Sequence, residues 1–195
     1  MDQLTNDTYK SIASKSEGLY KDKGSKFISI AFPVTSENEA KDILEAVHKE
    51  YHDARHHCYA YRIGKEGETW RYNDDGEPSS TAGRPIYGQL LSNGLSDILI
   101  VVIRYFGGIK LGVPGLIKAY KAAAADAIAN AAVIEKTATE IVNVSFGYEE
   151  TDRIMRILKE MNLSPEEYVS DMQCHIKVRV RLRDVGTFQN RLNKF

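Results

Sequence analysis

A run of six aliphatic residues, Ile98 to Ile103, places the strongest constraint on the fold of this chain. A strand that is apolar at every position, rather than at alternate ones, is typical of a strand covered on both faces. We therefore expect the sheet that contains it to be covered on both sides. The neighbouring segments, 73–83 and 104–115, are rich in glycine and polar residues, so they predict a functional site beside the strand.

The composition is that of an ordinary globular protein and excludes several classes of function. The chain has 195 residues and a net charge of −1, so any contact with nucleic acid must come from a local patch. The N-terminal segment lacks an apolar signal-peptide core, and the aliphatic run is too short to cross a membrane. The two cysteines, Cys58 and Cys174, are far apart and predict no disulfide framework. We expect a protein of the reducing cytoplasm without membrane contact.

The pattern of elements predicts an α+β fold of two domains. Residues 37–51 carry apolar side chains at helical spacing, while residues 1–23 are predicted to form an edge strand or a loose arm. A shift to short polar residues near 136–140 predicts an N-terminal domain of residues 1–136 and a C-terminal domain of residues 139–195. In the second domain the order strand, helix, strand, strand, helix is that of a ferredoxin-like sandwich without its last strand.

The loop after the aliphatic run is the first candidate site. Arg104 lies at the carboxyl end of the predicted strand, where α/β sheets present their ligands, and Lys110 follows with no acidic residue between them. Glycine amides and the start of the next helix are suited to an anion, which favours a phosphate-binding surface for RNA or a nucleotide. A strand-to-helix turn with a solvated basic rim is the alternative. The residues assigned to this surface are Arg104, Tyr105, Phe106, Gly107, Gly108, Lys110 and Gly112.

The loop before the run contributes Glu77, Ser80 and Thr81 to the same predicted site. Its carboxylates, which include Asp74 and Asp75, could act as acid or base or hold a divalent cation, and its hydroxyls could act as nucleophile. Turn and helix-capping chemistry explains the same residue types and is the favoured interpretation. The absence of a Gly-Lys-Ser/Thr P-loop argues against a P-loop NTPase, and there is no Gly-x-Ser-x-Gly nucleophile elbow. We expect no catalytic residue, no cofactor and no metal.

Two further patterns carry alternatives. His56 and Cys58 share a strand face, so they could form a nucleophile and its base, or a metal site with His52. A structural cysteine beside a hydrogen-bonded histidine is the favoured interpretation.

A later strand, predicted over 173–182, alternates apolar and basic residues, so one face is buried and the other is cationic. This face predicts either a second surface for RNA or a solvated sheet face. No aromatic residue interleaves with the cations, which argues against recognition of single-stranded sequence. The second basic patch consists of Lys177, Arg179, Arg181 and Arg183.

These motifs resemble those of the IMPACT (YigZ-like) family. The similarity rests on the residues of the two loops together with His56-x-Cys58, and the C-terminal part is similar to the last domain of elongation factor G. The loop residues are Asp75-Gly76-Glu77-Pro78, Ser80-Thr81-Ala82-Gly83, Arg104-Tyr105-Phe106-Gly107-Gly108 and Lys110-Leu111-Gly112. The resemblance implies an N-terminal domain of the left-handed β-α-β type, shared with a small-subunit ribosomal protein, elongation factor G and the GHMP kinases.

The resemblance also implies a role in translation. Eukaryotic relatives act through a protein partner at the ribosome and restrain a stress kinase of the initiation pathway. The leading hypothesis is a cytoplasmic translation-associated regulator that binds RNA, the ribosome or a ribosome-bound protein without catalysis. One alternative is an enzyme on a small phosphorylated substrate or nucleotide, with Glu77 or Asp75 as base. Another is a pure protein-interaction module anchored by Tyr105 and Phe106.

Overall fold

A computed structural model describes residues 7–193. The strands and helices, in chain order, are β1 (Thr8–Ile12), β2 (Ser16–Asp22), β3 (Ser25–Pro33), α1 (Glu37–Glu50), β4 (His56–Ile63), β5 (Thr69–Asn73), α2 (Gly83–Ser92), β6 (Ile98–Tyr105), α3 (Gly112–Ala129), β7 (Val133–Thr137), β8 (Thr139–Phe146), α4 (Thr151–Glu160), β9 (Pro165–Ser170), β10 (Cys174–Arg181) and α5 (Val185–Asn193). The described residues form a mixed α/β protein of two compact units, one of residues 9–136 and one of residues 137–193 with Asp7 and Thr8.

The N-terminal unit is built on a five-stranded antiparallel sheet in the order β2-β3-β6-β4-β5. The aliphatic run forms the central strand β6, and all six of its side chains are fully buried. Alternate residues pack with α2 and α3 on one face and with α1 on the other. The prediction of a strand covered on both faces is therefore confirmed, because every residue from Ile98 to Ile103 packs in an apolar cluster on one face or the other.

The register of the sheet places three side chains in a row at one end. Arg104 on β6 lies opposite His56 on β4 and opposite Phe27 on β3. All three point to the face covered by α2 and α3, since side chains directly opposite one another share a face. This row is the foundation of the candidate site.

The N-terminal segment forms regular strands within its described part. β1 pairs with β7 in a two-stranded sheet, and β2 is an edge strand of the five-stranded sheet. Of the two alternatives predicted for residues 1–23, an edge strand or a loose arm, β2 agrees with the edge strand. The portion of that prediction on residues 1–6 lies outside the described residues. Helix α1 begins after Ser36, whose side chain accepts a hydrogen bond from the amide of Glu39.

The C-terminal unit contains β8, α4, β9, β10 and α5, in the strand, helix, strand, strand, helix order expected. Its sheet is antiparallel with β10 in the centre, in the order β8-β10-β9. The apolar side chains of β10 are buried against both helices, whereas the alternate, basic positions face away. α5 is the last element that the structure describes. Within residues 7–193 no helix has the length and apolar character needed to span a bilayer.

Candidate functional site

The two loops that flank α2 and β6 meet in a groove of about 500 Å³ at the carboxyl end of β6. The groove brings together three cations, one histidine and one carboxylate, and its remaining walls are mainly apolar. Its lining residues are Arg55, His56, Glu77, Pro78, Arg104, Phe106, Lys110, Leu111, Gly112, Val113 and Leu116. The structure thus joins part of each predicted loop in one place.

Arg104 is the most deeply placed of the three cations, with 8% of its surface exposed. Its Nη1 donates to Glu77 Oε1 at 2.5 Å. Its guanidinium carbon lies 5.5 Å from the ring centre of Phe27 and 5.6 Å from that of Phe106, which is cation–π distance. Its buried Nε has no hydrogen-bond partner among the described residues. A buried donor that the protein does not satisfy is costly and calls for an explanation.

Glu77 holds a short buried hydrogen-bond chain together. Its Oε1 accepts from Arg104 and from the hydroxyl of Tyr120 at 2.8 Å, and that hydroxyl accepts from the thiol of Cys58 at 3.3 Å. Burial raises the pKa of Tyr120 and the pKa of Cys58, and the neighbouring Glu77 carboxylate raises both further. Both groups therefore stay protonated at neutral pH and act as donors, so Cys58 is poorly suited to be a nucleophile.

His56 and Cys58 share a face of β4 but do not bond to each other. His56 Nδ1 lies 2.7 Å from the carbonyl oxygen of Asp75, which can only accept, so Nδ1 carries a proton. The thiol of Cys58 donates to the carbonyl of Asp74 at 3.0 Å as well as to Tyr120. This arrangement agrees with a structural cysteine beside a hydrogen-bonded histidine, the interpretation that the sequence favoured.

Asp74 caps α2 from a distance in sequence. Its Oδ1 accepts from the amides of Ala82 and Gly83, at 3.0 and 2.8 Å, and its Oδ2 accepts from the amide of Ser80 at 2.8 Å. The hydroxyl of Thr81 instead donates to the carbonyl of Pro78. The expectation that the hydroxyls themselves cap this helix was wrong, because a carboxylate earlier in the loop already occupies the free amides.

Ser80 and Thr81 therefore have different surroundings. Thr81 is buried within its own turn, while Ser80, at a φ of +63°, lines a separate groove of about 620 Å³ between α2 and α3. Neither hydroxyl lies in the groove beside Arg104. Their assignment to one site with Arg104 stays a prediction.

The glycines of the second loop serve two purposes. Gly107 packs directly on the turn between β2 and β3, where an added Cβ would lie 1.8 Å from the carbonyl carbon of Gly24. Its amide donates to Ser25 Oγ at 3.1 Å, so it is not free for an anion. Gly108 and Gly112 have positive φ values of 89° and 73°, which favour glycine. Close backbone approach thus explains Gly107 without a ligand.

Helix α3 begins beside the groove without a side-chain cap. Gly112 starts the helix, and both it and Val113 line the groove. An N-terminus of this kind carries partial positive charge and free amides, so it adds to the positive potential of Arg104 and Lys110.

The two aromatic residues of the loop lie on opposite faces of the sheet. Phe106 is 55% exposed and covers the guanidinium of Arg104, so it forms part of the groove. Tyr105 is half-buried on the α1 side, where its hydroxyl donates to Asp53 at 2.7 Å. That hydrogen bond raises the pKa of Tyr105 to about 12. Only Phe106 is available as an aromatic anchor at the groove.

The cations of the second basic patch all face carboxylates. Lys177 and Arg179 pair with Glu167 and Glu166 of β9, each at 2.5 Å. Arg181 donates two hydrogen bonds of 3.0 Å to Asp7, and Arg183 lies 3.7 Å from Asp184 and 3.9 Å from Asp7. The predicted positive charge of this face included the cations of β10 but not Glu166 and Glu167, which pairing with β9 brings beside them. The positive charge available to RNA on this face is therefore much smaller than the sequence implied.

Comparison with known proteins identifies the family. The Impact N-terminal domain matches residues 23–128, more than half of the chain. The IMPACT family member YvyE of Bacillus subtilis is 34% identical over 84% of this chain and 76% of its own length. The IMPACT family member YigZ of Escherichia coli is 34% identical over 89% of this chain and 86% of its own length. A crystal structure of a hypothetical protein superposes with a TM-score of 0.77 at 29% identity, over 95% of this chain and 91% of that one. The resemblance drawn from the loop motifs is thus confirmed, and the chain belongs to the IMPACT family.

Proposed function

We propose that this IMPACT family member is a cytoplasmic, translation-associated regulator that works by binding and has no chemistry of its own. Family membership supports the link with translation that the loop motifs implied. The partner would be RNA, the ribosome or a protein bound to the ribosome. The groove at the end of β6 would be the contact surface.

The same family link supports a finer assignment of the two domains. We infer that the N-terminal unit, predicted over residues 1–136 and compact over residues 9–136, is the left-handed β-α-β domain shared with a small-subunit ribosomal protein, elongation factor G and the GHMP kinases. Residues 139–195 would then form the ferredoxin-like domain related to elongation factor G.

The buried but incompletely satisfied Arg104 is the observation that carries the binding proposal. One edge of its guanidinium is held by Glu77, whereas Nε has no partner among the described residues. Arg55 and Lys110 line the same groove, so three cations and one carboxylate leave an excess of two positive charges. An anionic group such as an RNA phosphate would be attracted by this excess and by the start of α3.

The surroundings of the acidic and thiol groups favour binding over catalysis. The Oε1 of Glu77 already accepts two hydrogen bonds, from Arg104 and Tyr120. The thiol of Cys58 is fully buried with a raised pKa. A nucleophile needs a free lone pair that can reach a substrate, which the buried thiol of Cys58 does not offer, and Glu77 is already engaged as the charge partner of Arg104.

A small phosphorylated ligand is the second candidate, because the groove has the size for it. A volume of about 500 Å³ lies within the range of small-molecule sites, and its apolar wall would suit a nucleoside or a similar body. If this candidate is correct, nucleotides or sugar phosphates raise the melting temperature of the protein. Turnover that is lost in Glu77→Gln would further identify an enzyme.

Fluorescence anisotropy with a labelled structured RNA across a salt series tests the leading proposal. We expect Lys110→Ala to weaken binding several-fold and to reduce the slope of log K against log salt by about 1, as loss of one phosphate contact requires. Lys41→Ala, an exposed lysine on α1, is the matched control and should leave both quantities unchanged.

Two results would contradict the assignment. Equal effects of Lys110→Ala and Lys41→Ala would remove the groove from RNA binding. Absence of binding even at low salt would exclude a bare RNA partner, and binding to ribosomal particles would then be measured with the same variants. Lys110 is preferred to Arg104 for this test because its side chain is exposed and its removal does not disturb a buried ion pair.

A further inference from the structure

His57 lies on the opposite face of β4 from His56 and is held in one orientation. Its ring is buried, with 4% of the residue exposed. Its Nε2 lies 2.9 Å from the carbonyl oxygen of Tyr51, which can only accept, so Nε2 carries a proton. In the neutral ring Nδ1 is therefore a lone-pair donor. A histidine fixed through a backbone carbonyl on its other nitrogen is the usual arrangement of a metal ligand.

The lone pair of His57 points toward a carboxylate. Nδ1 lies 3.7 Å from Asp75 Oδ2, and the same Oδ2 accepts a hydrogen bond of 2.6 Å from the main-chain amide of His57. With neutral His57, two acceptor atoms face each other with no hydrogen between them. Asp75 is held there at a φ of +42°, an uncommon backbone conformation for a residue with a side chain. A cation between the two atoms would turn this repulsion into attraction.

A second imidazole completes the cluster. His48 lies in the last turn of α1, and the centre of its ring is 4.0 Å from the centre of the His57 ring. Each of His48, His57 and Asp75 offers one ligand atom, and these atoms all lie within 4.8 Å of one another. We propose that His48, His57 and Asp75 form a transition-metal site that binds Zn²⁺.

The geometry needs only a small contraction. Ligands at 2.0–2.1 Å from tetrahedral zinc are separated by about 3.4 Å, close to the 3.7 Å between His57 Nδ1 and Asp75 Oδ2. His48 is exposed and can change rotamer to supply the remaining movement. Two imidazoles and one carboxylate suit zinc rather than Mg²⁺ or Ca²⁺, which prefer oxygen ligands throughout. The fourth position would be taken by water or by a group of a partner.

The site would link helix α1 to the loop that forms the groove. Asp75 contributes its carboxylate on the α1 side, while its carbonyl accepts from His56 on the groove side. Glu77 and Pro78 follow in the same loop and line the groove. Bound zinc would therefore stabilise this loop from the α1 side of the sheet, opposite the groove. The metal proposal rests on the three ligands alone and does not depend on what the groove binds.

Binding of zinc and cobalt to the full-length, metal-free protein tests the site. We expect one zinc per chain by equilibrium dialysis and a higher melting temperature in the presence of zinc. Cobalt at a site of two nitrogens and one oxygen should show visible d–d absorption without a thiolate charge-transfer band, which would distinguish it from binding at Cys58 or Cys174.

Histidine variants separate this site from adventitious surface binding. His48→Ala removes an exposed ligand without opening the core, and we expect zinc affinity to fall at least about tenfold. His52→Ala, an exposed histidine close by in the chain, should leave the affinity unchanged. Asp75→Asn retains the backbone conformation and should also weaken zinc at least about tenfold. Equal affinities in wild type, His48→Ala and Asp75→Asn, or an equal loss in His52→Ala, would overturn the proposal.

Discussion

The two ends of the central strand β6 each bury a charged residue, and they satisfy it to different extents. Asp97 lies just before the strand and is 5% exposed, whereas Arg104 lies near its carboxyl end and is 8% exposed. Both belong to the N-terminal unit, on the same run of chain. Similar burial therefore leaves hydrogen bonding as the main difference between them.

The Asp97 end is closed. The carboxylate accepts hydrogen bonds from the hydroxyl of Tyr9 at 2.6 Å, from Lys136 Nζ at 3.0 Å and from the amide of Gly64 at 3.0 Å. Burial alone would raise the pKa of Asp97, but these donors outweigh it and the pKa is lowered. The protein itself supplies donors to both carboxylate oxygens, so the charge of Asp97 needs no ligand to compensate it.

The Arg104 end is open. Glu77 satisfies one side of the guanidinium, Nε remains without a partner in the described chain, and a groove with two more cations lies beside it. A buried charge therefore does not by itself indicate a binding site. A charge that its own protein leaves partly unsatisfied, next to open space, is the more informative signal.

The largest expected effect comes from Glu77→Gln, which removes the charge partner at the open end. Because Arg104 would be left as an uncompensated buried cation, we expect the free energy of unfolding to fall by about 3 to 5 kcal/mol in urea denaturation. The excess positive charge of the groove would rise, so affinity for the RNA or phosphate probe should increase. Glu66→Gln, at an exposed carboxylate, is the control and should change neither quantity.

Two results for Glu77→Gln would contradict this difference between Asp97 and Arg104. An unchanged stability would mean that the pair of Glu77 and Arg104 contributes little beyond a hydrogen bond. Weaker instead of tighter anion binding would mean that Glu77 positions Arg104 for the ligand rather than opposing it.

The closed end should show a smaller effect with a defined dependence on pH. The pKa of Asp97 is lower in the folded protein than its ordinary value of 3.8, so the folded state binds fewer protons in this range. The stability from Asp97 is therefore complete above about pH 4 and is lost as pH falls through the lower, folded pKa. At pH 7 we expect Asp97→Asn to cost about 2 kcal/mol, because asparagine keeps the positive φ but loses the charge-assisted hydrogen bond from the partly exposed Lys136.

Chemical denaturation of both proteins between pH 7 and pH 2 measures this difference. The gap between wild type and Asp97→Asn should shrink as Asp97 becomes protonated. RNA binding at pH 7 should be the same for both proteins. A gap that stays constant with pH would assign the loss to packing rather than to charge.

The smallest effect is expected on the exposed, basic face of strand β10. Arg179 pairs with Glu166 in a half-exposed ion pair, and such pairs contribute little to stability. We expect Arg179→Ala to change the free energy of unfolding by less than about 1 kcal/mol. Its RNA affinity should change far less than that of Lys110→Ala. An equal loss in both variants would restore the second basic patch as a binding surface.

Particular residues show how far the sequence could predict the site. His56 and Arg104 belong to separate motifs, and their position directly opposite each other depends on the register between β4 and β6. Glu77 and Arg104, which pair in the groove, are likewise 27 positions apart. Asp74 caps α2 through amides that are 8 and 9 positions further along the chain. The loops could be found from glycine and turn residues, but not which of their side chains would share a groove.

The carboxylates opposite the second basic patch were missed for the same reason. Glu166 and Glu167 lie in β9, and their partners Arg179 and Lys177 lie in β10. The alternation in β10 correctly predicted which side chains are exposed, but it carried no information about the charges on the neighbouring strand. The two adjacent acids, Glu166 and Glu167, just before the basic strand are the feature of the sequence that indicates this compensation.

Patterns in the sequence are enough to predict which segments are buried and the α+β order of the elements, and the loop motifs are enough to predict the family. Burial can be predicted from local periodicity, because the removal of each apolar side chain from water lowers the free energy largely independently of its exact neighbours. Tertiary structure alone decided which cations are compensated, which hydroxyls are free and where His48, His57 and Asp75 meet. Hydrogen bonds and ion pairs act over a few ångströms, so they depend on which distant segments the fold brings into contact.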